Sequence, residues 1–208
     1  MSTLSTISHE NDPDLPASAL VYTFGGRDAV RSLTPPVALS TSTLDAFANA
    51  LTRPDQLPSQ VLDPRYLNPQ TGPFFIEGAQ VGDTLAVHFL DIVPRTKHGV
   101  SATIPYFGAL TSTPDTATLQ APLEERVWFY ELDVDAGLVH YRARDSSFGV
   151  ALPMDPMHGT VGVAPPLQEV RSSLTPGRWG GNMDTPEMRA GTTCYLGVNV
   201  EGAMFSFG

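Results

Sequence analysis

Lysine is nearly missing from this chain: of 208 residues only Lys97 is one, against eleven arginines. A lysine nucleophile or Schiff base would have to be that residue, whose neighbours Arg95, Thr96 and His98 offer none of the apolar surroundings that activate such an amine. Cysteine occurs once, as Cys194, which excludes an intrachain disulfide and any CxxC metal knuckle. Within Thr192-Thr193-Cys194-Tyr195-Leu196 it reads as a buried strand residue, a poor nitrilase-type nucleophile. No apolar run approaches the ~18 residues of a membrane helix, and the polar stretch Met1 to Pro16 lacks the regions of a signal peptide. Cytoplasmic residence without a membrane partner is the expectation. Positive charge is scarce as well: twelve Lys plus Arg against 22 Asp plus Glu leave a net charge of −10, which argues against a nucleic-acid partner. A GxSxG nucleophile elbow does not occur.

What is present is 41% hydrophobic residues with 19 prolines and 18 glycines, enough for a sizeable core in one large or two small domains. Residues 1–16 carry polar residues with few apolar anchors and read as a mobile arm before a β-rich domain over 17–208. Leu20 to Phe24 predicts a strand ended by Gly25-Gly26. Ser42 to Leu51 predicts a short helix, with Leu44, Phe47 and Leu51 on one face. Recurrent prolines make 55–72 a long loop. Asp83 to Val93 sets Leu85, Val87 and Phe89 against Thr84, Ala86 and His88, the alternation of a half-buried strand. Further strands fit Arg126 to Val134, Leu138 to Arg142, Val161 to Val163, Thr192 to Val200 and Ala203 to Phe207. The fold class is therefore mainly β with minor α, of barrel or sandwich type.

The turn Gly180-Gly181-Asn182-Met183-Asp184 gathers two glycines, a carboxamide and a carboxylate. Gly180 and Gly181 permit close approach of a bound group, Asn182 can donate to a carbonyl oxygen, and Asp184 is the first carboxylate to consider for catalysis or a metal. A tight turn preceding a strand is the structural alternative. Asp91 follows an apolar strand, where an ionised carboxylate must be paired or metal-bound, unless it caps the strand end. Asp45 is a third carboxylate, alternatively one that favours its helix through the dipole. Among the histidines, His98 in a loop after a strand suits a ligand or general base, whereas His88 and His140 lie in strands, His9 lies in the arm, and His158 is at most a lining residue.

The order of several segments resembles the acetamidase/formamidase family: Asn68-Pro69-Gln70-Thr71-Gly72-Pro73, Ile76-Glu77-Gly78-Ala79, Gly82-Asp83-Thr84-Leu85 running into Leu90-Asp91-Ile92, Asp155-Pro156-Met157-His158-Gly159-Thr160-Val161-Gly162-Val163-Ala164-Pro165 with a histidine the family pattern does not expect at 158, the Gly180 to Asp184 turn, Gly191-Thr192-Thr193, and Gly202-Ala203-Met204-Phe205-Ser206. The resemblance covers about residues 40 to 208. It implies a hydrolase that cleaves the C–N bond of a short linear amide to carboxylate and ammonia, with water activated by a divalent metal, zinc first and calcium second. On this reading Asp184 and His98 are catalytic, Gly180, Gly181 and Asn182 contact substrate, and Asp45, Asp91 and Asp184 ligate the metal.

In proteins of this family a GDxHxxQGDGE-like segment follows the point that corresponds to Gly208. The fold is thus expected to be incomplete at its C-terminus, as a fragment or a processed subunit. An uncovered strand edge there calls for a homo-oligomer, or a hetero-oligomer with a chain that carries the missing segment. The alternative function is a non-catalytic β-rich subunit that supplies pocket and structural residues.

Overall fold

The computed structural model describes residues 4–10, 19–108 and 121–208. In chain order the elements are β1 (Ser5–His9), β2 (Thr23–Phe24), β3 (Arg31–Leu33), β4 (Val37–Thr41), the single-turn helix α1 (Pro58–Val61), β5 (Thr71–Ile76), β6 (Thr84–His88), β7 (His98–Thr103), β8 (Arg126–Asp133), β9 (Leu138–Arg142), β10 (Gly149–Pro153), β11 (Thr160–Gly162), β12 (Arg171–Ser172), β13 (Gly180–Asn182), β14 (Thr193–Gly197) and β15 (Phe205–Phe207). The chain divides into two units. The first comprises Met1–Asn49, Pro64–Ile92 and Met157–Gly208; the second comprises Ala50–Asp63 and Val93–Pro156.

The first unit is built on a five-stranded sheet of order β13-β11-β15-β5-β3. β11 runs antiparallel to both neighbours, β15 is antiparallel to β5, and β3 is parallel to β5. The strands near its centre are short runs such as Phe205-Ser206-Phe207, buried throughout, so their sequence carries no in–out alternation. Against this, β6 and β14 pair antiparallel from Leu85↔Leu196 to Val87↔Cys194. Here alternation is strict: Cys194 and Leu196 join the core while Tyr195 between them stays exposed. One core holds the unit, with Phe74, Val161, Val163 and Ala203 fully buried among Phe89, Leu196, Val198, Phe205 and Phe207.

The second unit carries a four-stranded antiparallel sheet of order β10-β9-β8-β7. Tyr130, Tyr141 and Phe148 line one face of it at ring separations of 5.9 and 6.4 Å. Pro58 opens α1, where a missing N–H costs nothing. No sheet closes on itself among the described residues, so the mainly β expectation holds as open sheets.

Four local expectations are corrected. The helix over Ser42 to Leu51 is a turn: Asp45 Oδ1 accepts from the N–H groups of Phe47 (2.9 Å) and Asn49 (2.7 Å), and Ala48 and Asn49 adopt left-handed φ of 54° and 57°. The aspartate competes with the helical ladder and wins. The loop over 55–72 contains α1 and ends in β5. Within the polar arm, Ser5–His9 forms a parallel strand against Val37–Thr41, with the His9 ring edge-on to Phe74 at 5.2 Å. His98 is not a loop residue; it begins β7, opposite Glu131.

Candidate functional site

The three most specific sequence segments meet inside the first unit through side-chain hydrogen bonds. Asn68 Nδ2 donates to Thr160 Oγ1 at 2.9 Å and to the Ser173 carbonyl at 2.7 Å. Thr160 Oγ1 passes its own proton to Asn182 Oδ1 at 2.9 Å. Ser173 Oγ returns a bond to the Asn68 carbonyl at 2.8 Å, which commits that hydroxyl's proton. Asn68, Thr160 and Ser173 are buried, and buried polar groups persist only when bonded in this way.

Local backbone chemistry makes the arrangement possible. Asn68 takes a left-handed φ of 60°, which asparagine tolerates, and Pro69 then starts the approach to β5. Gln70 Nε2 donates to the carbonyls of Asn68 (3.0 Å) and Pro69 (3.2 Å), while its Oε1 is buried with no partner among the described residues. Gly208 exchanges both backbone hydrogen bonds with Thr160, at 2.8 and 3.1 Å. Beside this pairing His158 packs edge-on to Phe207 at 5.0 Å and 5.6 Å from Phe89. Burial pushes its imidazole below the ordinary histidine pKa, against the opposing effect of a hydrogen bond to the Gly208 backbone.

The residues expected from sequence distribute unevenly over this site. Asn182 and Asp184 belong to it. Asn182 has its oxygen engaged by Thr160 and its Nδ2 at a long 3.4 Å from the Leu174 carbonyl, so the donor is weakly committed. Asp184 is exposed, has a left-handed φ of 47°, and accepts no hydrogen bond on its carboxylate among the described residues. Gly180 and Gly181 are not an open turn: they form β13, both buried, at φ of 89° and 97°. A Cβ on Gly180 would lie 2.3 Å from the Val161 carbonyl oxygen, and one on Gly181 would lie 2.8 Å from that of Thr175. On the side a Cβ would take, backbone carbonyls already fill the space beside both glycines.

The other candidates fall outside it. Asp91 is exposed and unpaired among the described residues, so solvent satisfies the carboxylate that its apolar strand left in question. Asp45 spends Oδ1 on its own turn. His98 belongs to the second unit, exposed, its ring 6.3 Å from Phe129. No group of three or more His, Cys, Asp or Glu among the described residues is placed to hold a metal ion, and Asp45, Asp91 and Asp184 are not brought together as one. Sequence reasoning gave no role in the site to Thr160 or Ser173. Thr160 lay within a family-like segment, one residue before the strand read from Val161 to Val163.

Among the described residues no helix is long and apolar enough to cross a membrane. No family model and no curated protein matches the chain. Solved structures do. The acetamidase of Yersinia enterocolitica is 35% identical over 100% of this chain, with a TM-score of 0.87. The Bacillus halodurans acetamidase is 30% identical over 97%, and an acetamidase/formamidase of the thermophile Thermoanaerobacter tengcongensis is 31% identical over 99%, each with a TM-score of 0.78. The chain spans 60 to 61% of the length of these three structures. From its ordered motifs and from likeness along nearly all its residues, the chain is recognised as acetamidase/formamidase-like.

Proposed function

We propose that this chain supplies part of the active site of an amide hydrolase, acting on a short linear amide of the formamide or acetamide kind. The observation that carries this reading is the convergence of the family-like segments on one hydrogen-bonded chain, Asn68 to Thr160 to Asn182, with the uncommitted Asp184 carboxylate two residues further on. Thr160 engages the Asn182 carboxamide by its oxygen, which leaves the weakly committed N–H groups as donors to the substrate carbonyl and its developing oxyanion. Asp184 takes a proton from the water that adds to the carbonyl carbon. Asp184 returns that proton to the nitrogen as the tetrahedral adduct collapses, the C–N bond breaks, and ammonia and the carboxylic acid leave. No step is derived through a metal, and none is assigned to His98.

The test is ammonia release by the purified protein from formamide, acetamide and a cyclic amide, with and without added zinc or calcium, and with metal content measured on the same sample. Release from the short amides, abolished in Asp184→Ala while circular dichroism stays unchanged, is expected. Full turnover in a folded Asp184→Ala protein would remove that carboxylate from the reaction. Release from no amide under any condition would overturn the amidase reading in favour of a non-catalytic subunit.

A further inference from the structure

Gly159 lies directly beneath the end of the Asn182 to Asp184 segment. Its carbonyl accepts the N–H groups of both Met183 (3.1 Å) and Asp184 (3.0 Å), which folds the chain back over it. A Cβ built on Gly159 would stand 2.8 Å from Asp184 Oδ1 and 3.8 Å from Asn182 Oδ1. Even a favourable C–H···O contact keeps carbon and oxygen about 3.3–3.6 Å apart, so the Asp184 carboxylate occupies volume that a side chain at position 159 would claim.

What distinguishes this glycine from its neighbours is the nature of the obstacle. At Gly162, Gly180 and Gly181 the first obstacles include ring or backbone atoms that cannot yield cheaply. At Gly159 the obstacle is the free end of an exposed side chain, and the backbone there is outside the left-handed region, so alanine fits its conformation. Neither backbone geometry nor rigid packing demands glycine at this place; room for the carboxylate does.

We propose that Gly159 is a positioning residue that seats the Asp184 carboxylate beside the Asn182 carboxamide, an inference that rests on the catalytic reading of Asp184 given above. A methyl group at 159 drives the carboxylate away from Asn182 and leaves the fold in place. Gly197, in β14, provides a control: it also lies outside the left-handed region, and a Cβ there meets nothing within 4 Å.

The experiment combines turnover with carbon-detected NMR of protein labelled with carboxyl-13C aspartate, the Asp184 resonance being identified by its loss in Asp184→Ala. Gly159→Ala is expected to shift that resonance and to lower kcat by up to about a hundredfold, the scale of a misplacement near 1 Å, with KM and the melting temperature nearly unchanged. Gly197→Ala is expected to do neither. An unmoved Asp184 resonance in Gly159→Ala overturns the proposal outright. A shifted resonance with unchanged turnover overturns it too, provided Asp184→Ala is inactive. If Asp184→Ala is itself fully active, the failure lies with the catalytic reading, and the resonance alone decides whether Gly159 seats the carboxylate.

Discussion

Exchanging Asn68 for aspartate alters one feature of the buried network and almost nothing else. Shape is kept, and aspartate tolerates the left-handed φ of 60° as asparagine does, so neither a cavity nor backbone strain enters. What changes is the atom that faces the Ser173 carbonyl at 2.7 Å and Thr160 Oγ1 at 2.9 Å: two N–H donors become one oxygen. When protonated, the new carboxyl restores one of the two bonds, and stranding the other buried acceptor costs about 1–3 kcal/mol. When ionised it restores neither and sets a charge against a carbonyl oxygen. Burial and that oxygen both disfavour the anion, so its folded pKa rises above the unfolded value of about 3.9. The folded state then binds more protons than the unfolded one. Stability relative to the parent is best preserved below about pH 4, falls by about 1.4 kcal/mol per pH unit above it, and levels off beyond the folded pKa. Urea denaturation of both proteins at pH 4, 5 and 6, with m-values checked for constancy, measures this directly. A penalty that does not vary with pH, or one below about 1 kcal/mol at every pH, would refute the assignment of Asn68 as donor to Ser173 and Thr160.

Two further outcomes are expected. The depressed pKa of His158 means that its contribution is fully present above the unfolded value of about 6.5 and is lost as pH falls through the folded value. Relative to His158→Phe, the parent should therefore lose stability on acidification, and parallel stability curves for the two proteins would contradict this. Asp45→Ala should lower the urea midpoint, because the N–H groups of Phe47 and Asn49 lose their acceptor, while Asp45→Asn, which keeps an oxygen, should not. Neither should alter metal content, and loss of a bound metal in Asp45→Ala would restore that residue to the ligand set.

The parts of the fold legible in the sequence were those whose pairing leaves an alternating trace. β6 showed one half-buried and one open face, and β9 matched Leu138 to Arg142 end to end. The two-residue strand β12 and the three-residue β13 left no such trace, since their formation depends on partners far along the chain, while β2 was read as the longer stretch Leu20 to Phe24. β13 was misleading for a further reason. Gly180 and Gly181 carry turn composition, but their positive φ serves a strand packed against the Val161 and Thr175 carbonyls. For the site, the segments were legible and the roles within them were not. Which carboxamide holds which hydroxyl depends on contacts between residues 92 and 105 positions apart, as in Asn68 to Thr160 and Asn68 to Ser173. At Asp91 strand context suggested burial, whereas the chain emerges into solvent there.

The first unit is interrupted twice, and both interruptions are tied at the neck. Where the chain leaves near Asn49 and returns at Pro64, the Asn68 N–H reaches the Ala46 carbonyl at 2.7 Å; where it leaves after Ile92 and returns at Met157, the rings of Phe89 and His158 lie 5.6 Å apart. For the first unit, everything between such closed ends acts as a loop whose cost grows only with the logarithm of its length, about 0.6 kcal/mol per doubling. Insertions and deletions across 93–156 should therefore be tolerated by the hydrogen-bonded core around Asn68, and length variation among relatives is expected to gather in that stretch while the spacing between residues 157 and 208 stays fixed.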